Sequence, residues 1–379
     1  MATPFTIHIP DQRLNEIRRK VEAYDWDQLP DAGGWRSGIG KADLQRLVRF
    51  WLDGFDWREV ERRLNRRPHF TAEVDGQRLH FIHEVGDGTK PPILLLHGWP
   101  GSFIEFEQMI DPLIADGHDV VIPSLPGFAF SNPTTGILGP IRIAELLHRF
   151  MTELFGERRY FVQGGDWGAG IATRMAYGRP QALLGIHLNM VPITAADVRP
   201  TTSAEEDWQA RFAANSDRER GYSHEQGTRP QTLGVAMADS PVGAAAWILE
   251  KFGVWSDLPK RDDGSPDLWE RFSEEQLLTN IMLYVAPAAV VTATWIYQGQ
   301  REEGADKVPA GTRVDVPTGV AAFPDPVFIP PPRSYAEKTY NIVRWTEMTK
   351  GGHFAAMEEP ELLLADLRAF IASTQGHHR

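Results

Sequence analysis

The stretch VQGGDWGAGIATRMAY, Val162 to Tyr177, decides how this chain is read. An apolar run ends in a turn that has glycine two positions before and two positions after Asp166, and helical sequence follows. Small residues on both sides let neighbouring backbone pass close to a strained residue, whose side chain is then lifted clear of a sheet. A helix beginning at Trp167 points its N-terminal amides at the same place. This is the pattern of a nucleophile on a strand-to-helix turn, but it carries aspartate where a serine hydrolase carries serine. A carboxylate needs no deprotonation and attacks best at an sp3 carbon bearing strain or a leaving group. The resulting alkyl ester must then be hydrolysed, which calls for a general base, an acid to orient it and donors for an oxyanion. The plainer alternative is an aspartate that merely caps the following helix.

Two further motifs favour the catalytic alternative. His-Gly-Trp-Pro-Gly, residues 97–101, follows the apolar run ILLL and can bring the backbone amide of Trp99 to face the turn. Together with the amide of Trp167 it would form a two-donor oxyanion hole. Gly351-Gly352-His353-Phe354 lies after the last apolar run, where hydrolases of this architecture place the base.

Outward from these motifs the chain alternates short apolar runs with helical segments. PPILLLHGWPGS (91–102), HDVVIPSLPGF (118–128), RYFVQGGDWG (159–168) and LGIHLNM (184–190) hold short apolar runs that read as strands, and VDVPTGVAAF (314–323) and NIVRWTEM (341–348) resume the pattern. Fully apolar strands alternating with helices predict a mostly parallel sheet covered on both faces. HFTAEVDGQRLHFIHEV (69–85) alternates around Asp75-Gly76 and predicts a hairpin. Residues 1–68 carry amphipathic stripes, Leu14/Ile17/Val21 and Leu44/Leu47/Val48/Trp51, and predict a helical meander with an extended loop over residues 30–40. The strand pattern lapses over 196–311, which predicts a helical lid inserted over the C-terminal edge of a core made of 69–195 and 312–379. The proline cluster FIPPPR (328–333) reads as a rigid loop rather than a docking motif.

The 379 residues carry a net charge of −12, which opposes binding to nucleic acid. With no cysteine the chain has no disulfide framework or thiolate metal site, which suits a reducing compartment. The N-terminus is charged where a signal peptide is apolar, and no window reaches about 18 consecutive apolar residues. The expectation is a cytoplasmic protein without a membrane anchor, and the sequence leaves its oligomeric state open, a homo-oligomer included. No metal-ligand spacing is present, so neither a metal nor another cofactor is expected.

HGWPGS (97–102), GGDWG (164–168), GYSHEQGTRPQTLG (221–234), DSPVG (239–243) and KGGHFAAMEEPELL (350–363) together resemble the microsomal-type epoxide hydrolases, the group that includes juvenile-hormone epoxide hydrolases and soluble bacterial relatives. The likeness spans nearly the whole chain, including DWDQLPDAGGWRSG (25–38) of the meander. It implies an α/β-hydrolase fold and the conversion of an epoxide to a vicinal diol, with Asp166 as nucleophile and His353 as base. It also implies two lid tyrosines that donate to the epoxide oxygen, Tyr222 of GYSHEQ and Tyr297 of WIYQGQ, with Tyr284 as the fallback for the second. Where the family commonly has an acid two residues beyond the proline of VPTGVAAFP, this chain has Pro326. The adjacent Asp325 is therefore the expected triad acid, with Glu358 and Glu359 as alternatives better suited to helix capping. Two other functions fit the same fold. A haloalkane dehalogenase needs halide donors, and the tyrosine motif suits an epoxide oxygen better; a non-catalytic binder of hydrophobic ligands would dispense with part of the constellation. The expected substrate is a hydrophobic or aromatic epoxide.

Overall fold

The computed structural model describes residues 2–191 and 193–375. Met1, Pro192 and the last four residues of the C-terminal core segment lie outside the described residues. Among the described residues nine strands form one sheet: β1 (Thr3–Phe5), β2 (His69–Val74), β3 (Gln77–Glu84), β4 (Ile93–Leu96), β5 (Val120–Pro123), β6 (Tyr160–Gly164), β7 (Leu183–Leu188), β8 (Val314–Ala322) and β9 (Tyr340–Glu347). Their order is β1-β2-β3-β5-β4-β6-β7-β8-β9. From β5 to β9 all neighbours are parallel, and β1 to β3 add an antiparallel edge.

The apolar runs become strands because both sheet faces are covered. Every residue of β4, β5 and β6 is buried, and their side chains are apolar, as with Ile93, Leu94, Val121 and Phe161, apart from Gln163, which donates to Asn189 at 2.8 Å. The β2–β3 hairpin turns through Asp75 and Gly76, both at positive φ (51° and 75°), the conformation of a type I′ turn. The N-terminal region departs from the all-helical expectation. Its helices Asp11–Glu22, Lys41–Asp53 and Trp57–Leu64 are present, but Thr3–Phe5 pairs with β2 and extends the sheet. Three residues are too few for an alternating pattern to be visible. The loop over 30–40 also contains a short 3-10 turn, Gly34–Ser37.

Between β7 and β8 the chain is helical: Ser203–Glu219, Gly221–Thr228, Pro230–Asp239, Pro241–Trp255, Glu274–Val285 and Trp295–Glu303. Glu274–Val285 starts at a capping box in which Ser273 and Gln276 satisfy each other's backbone amides. A buried carboxylate ties this segment to the N-terminal helices. Asp43 accepts two bonds from the Arg261 guanidinium, both 2.8 Å, and one each from the indoles of Trp35 and Trp269, both 2.7 Å. Among the described residues no single helix is long and apolar enough to cross a membrane.

Candidate active site

The parallel strands deliver their C-terminal ends to one edge of the sheet, where open α/β folds place ligand sites. Trp99 follows β4, Asp166 follows β6, Asp325 follows β8 and His353 follows β9. Asp166 has φ +45°, a left-handed conformation that costs a non-glycine residue roughly 1–3 kcal/mol and persists only where the surroundings impose it. They do so through close backbone approaches. A Cβ on Gly168 would lie 2.1 Å from the Leu96 carbonyl oxygen, and one on Gly98 would lie 2.1 Å from Asp166 Oδ1. The glycines of GGDWG and HGWPG therefore let the ends of β4 and β6 touch.

The Trp99 amide donates to Asp166 Oδ1 at 2.9 Å. The Trp167 amide lies in the first turn of the helix Asp166–Gly178, where backbone donors lack intrahelical acceptors. His353 Nε2 stands 3.3 Å from Asp166 Oδ2, an ion-pair separation without hydrogen-bond alignment. On its other side His353 Nδ1 donates to Asp325 Oδ2 at 2.9 Å. The second Asp325 oxygen accepts from the amides of Val327 and Phe328, at 2.8 and 2.7 Å, so the carboxylate is fixed from behind. Pro326 has no amide to offer; the turn it makes brings the next two. Burial opposes a charge on His353, but the carboxylates of Asp166 and Asp325 outweigh it and raise its pKa to about 10.

Glu358 has backbone amides as partners rather than the His353 ring. Its carboxylate accepts from the amides of Asp257, Gly352 and Phe354, at 2.8, 2.9 and 2.9 Å, and so braces the loop that carries His353. Burial pushes its pKa up to about 7 against the pull of those amides. Glu359 pairs with Arg271 and Lys350.

Across from Asp166 stand the two tyrosines. Tyr222 stacks on Trp99 with ring centroids 5.2 Å apart, and Tyr297 meets the edge of Trp167 at 4.7 Å. The two tyrosine rings lie 5.7 Å apart, nearly perpendicular. The Tyr297 hydroxyl is buried with no well-formed hydrogen bond; its polar neighbours are Tyr222 and the Trp167 indole. Burial, reinforced by the Asp166 charge, raises both phenol pKa values, so both hydroxyls keep their protons at neutral pH. The hydroxyl of Tyr284, the fallback donor, is already engaged elsewhere. It donates to the Gly101 carbonyl at 2.5 Å, on the far side of the HGWPG turn.

A cavity of about 340 Å³ opens over Asp166, Tyr222 and Tyr297. Met190, Val191, Phe212 and Phe328 give it apolar walls, while Arg174, Gln300 and Arg301 make one part polar. Phe328, Ile329 and Pro331 of the proline cluster line it. That cluster reads from sequence as a connecting loop, since composition does not reveal which face a loop turns to a cavity.

The sheet order, the aspartate on its strained turn and the His–Asp pair behind it define an α/β hydrolase with a carboxylate at the nucleophile position. Residues 91–291 match the family model described as alpha/beta hydrolase fold, and residues 2–106 match the one described as epoxide hydrolase N terminus. A Stigmatella aurantiaca protein named as a candidate epoxide hydrolase is 40% identical over 97% of this chain and 84% of its own length. Epoxide hydrolase 1 of Sus scrofa is 35% identical over 97% of this chain and 88% of its own. The crystal structure of juvenile hormone epoxide hydrolase from Bombyx mori superposes with a TM-score of 0.88 at 28% identity, covering 100% of this chain and 96% of that one. The chain belongs to the epoxide hydrolase family, and epoxide hydrolysis is the activity that membership assigns to it.

Proposed function

We propose that the enzyme opens a hydrophobic epoxide in two steps through an ester on Asp166, with residues 196–311 acting as its lid. The observation that carries this reading is the position of Asp166, with His353 and Asp325 on one side and two protonated phenols on the other. Asp166 Oδ2 attacks an epoxide carbon while Tyr222 and Tyr297 donate to the oxygen as the C–O bond breaks. Oδ1 stays on the Trp99 amide and becomes the ester carbonyl oxygen. Water deprotonated by His353 then attacks the Asp166 carbonyl carbon, and the amides of Trp99 and Trp167 hold the oxyanion until the diol leaves.

The electrostatics supply the order of events. In the resting enzyme His353 sits between two carboxylates that favour its cation, so it is a poor base. Ester formation removes the charge of Asp166 and with it part of that pull, freeing the imidazole to accept a proton from water. The proton given up by His353 balances the one lent by the tyrosines. The apolar walls of the 340 Å³ cavity support a hydrophobic or aromatic substrate.

Single turnover in oxygen-18 water tests the covalent step: the label is expected in the protein and not in the first-turnover diol. Label in that first diol would mean that water attacks the epoxide itself. A panel of aryl, aliphatic and polycyclic epoxides, with diols resolved by chiral chromatography, then defines the substrate range.

A further inference from the structure

Asp166 borders two cavities. The larger is the substrate chamber; the second, about 10 Å³, also borders Asp166 and is lined by His353, Gly98, Gly101, Glu105 and Asn189 among others. Asp166 is the single lining residue the two share. About 10–15 Å³ measured this way is the space of one water molecule, and such a water needs several polar partners.

Glu105 is the polar group that the proposed mechanism leaves unused. It follows the HGWPG turn in the short 3-10 segment Phe103–Phe106, and its carboxyl fills the space that a side chain at residue 101 would take: a Cβ on Gly101 would fall 1.6 Å from Glu105 Oε1. Burial, together with the charge of Asp166, pushes its pKa up to about 8 against the pull of the His353 cation. Burial and the charge of Asp166 thus both favour its neutral form. On its outer side it also lines a surface cavity with Arg63, Glu107 and Glu275, which places it between solvent and the small chamber.

We infer that Glu105 is a positioning residue for the hydrolytic water, which the 10 Å³ chamber holds between His353 Nε2, the Glu105 carboxyl and the carbonyl carbon of the Asp166 ester. His353 takes one hydrogen of that water as its oxygen attacks; Glu105 accepts the other in a hydrogen bond and fixes the line of approach. Water thus reaches the ester from the small chamber and not through the substrate chamber. The inference rests on the covalent reading above.

The test compares Glu105→Gln, which keeps an acceptor, with Glu105→Met, which fills the space without one, by rapid-quench single turnover on styrene oxide with alkyl-enzyme followed by intact mass. Glu105→Met is expected to slow ester hydrolysis at least about tenfold with alkylation within about twofold of the parent, so alkyl-enzyme accumulates; Glu105→Gln is expected to stay within about threefold in both steps. Equal slowing by Met and Gln would make Glu105 a space-filler and overturn the inference, as would hydrolysis at the parent rate in Glu105→Met or parallel slowing of both steps. Should the Met variant not fold, Glu105→Ala is judged by the same criteria. His353→Gln serves as the control for the reading beneath: absence of alkyl-enzyme in that variant refutes the covalent mechanism, whereas its presence isolates any failure to Glu105.

Discussion

Asp166, His353 and Asp325 stand where strands end, held by backbone approaches and charged hydrogen bonds; Tyr222 and Tyr297 stand on helices between β7 and β8, held by ring contacts. The first set has little room to move, because a glycine-lined contact such as Gly168 against Leu96 cannot slide without clash. The second is placed by stacking, which fixes a plane more firmly than a position along it. The division matches the proposed chemistry: hydrolysis draws on the core, and ring opening also needs the lid. Variants that separate the two steps therefore test the comparison itself.

The largest effect is expected at the residue both steps share. Asp166→Ala should lower turnover by about 10⁴-fold or more and yield no alkyl-enzyme by intact mass. Measurable steady-state diol formation at even a hundredth of the parent rate would move the nucleophile elsewhere.

Asp325→Asn comes next and should strike one step alone. Without the charge that orients and stabilises the His353 cation, ester hydrolysis should slow by about 10²- to 10⁴-fold while alkylation changes little, so the ester accumulates. The same pair predicts pH behaviour. In the parent alkyl-enzyme His353 has lost the Asp166 charge, so the hydrolysis rate should rise with pH through a midpoint below the resting value of about 10. For stability the sign is that of a raised pKa: the His353 contribution is full below its unfolded value of about 6.5 and lost as pH rises through about 10. Stopped-flow rates and urea midpoints across that range check both.

Tyr222→Phe and Tyr297→Phe should each slow alkylation by about 10- to 100-fold and leave hydrolysis of the ester near the parent rate; the double variant should lose nearly all ring opening. A double variant that opens epoxides normally would place the proton donor outside the lid.

The same division governs what could be read without coordinates. Core positions announce themselves locally: Asp166 by its flanking glycines, His353 by GGHF after the last strand. Asp325 was legible as the nearest carboxylate to the irregular Pro326, but its link to His353 depends on how the turn presents the amides of Val327 and Phe328. The lid signals were weaker. Tyr222 and Tyr297 are 75 positions apart and came from a family likeness, and only coordinates separate Tyr297 from Tyr284, whose hydroxyl is bound to Gly101. Glu105 carried no signal, and Glu358 was visible only as an alternative acid near His353, not as a brace of the loop that carries it. One fills a space left by Gly101, the other accepts from three backbone amides, and neither kind of partner is written in side-chain chemistry.

The smallest effect on chemistry, and the sharpest test of how the lid is placed, is expected at Asp43. This carboxylate lies in the N-terminal helices far from the reaction in sequence, yet it gathers Arg261 and Trp269 of the helical segment between β7 and β8 with Trp35 of its own region. Asp43→Ala leaves a guanidinium and two indoles without their acceptor, a loss of about 2 kcal/mol by urea denaturation. Burial alone would raise the Asp43 pKa, but the bonds from Arg261 and the indoles outweigh it and lower it below 3.8. Its contribution is accordingly present above the unfolded pKa and lost as pH falls through the lower folded value, so parent and variant should converge in stability in acid. If these helices hold the tyrosines in register, the variant should also slow alkylation a few-fold at neutral pH while ester hydrolysis, built on strand ends, stays unchanged. Equal slowing of both steps would show that the joint supports the whole molecule rather than the lid, and the contrast between the two halves of the site would lose its physical basis.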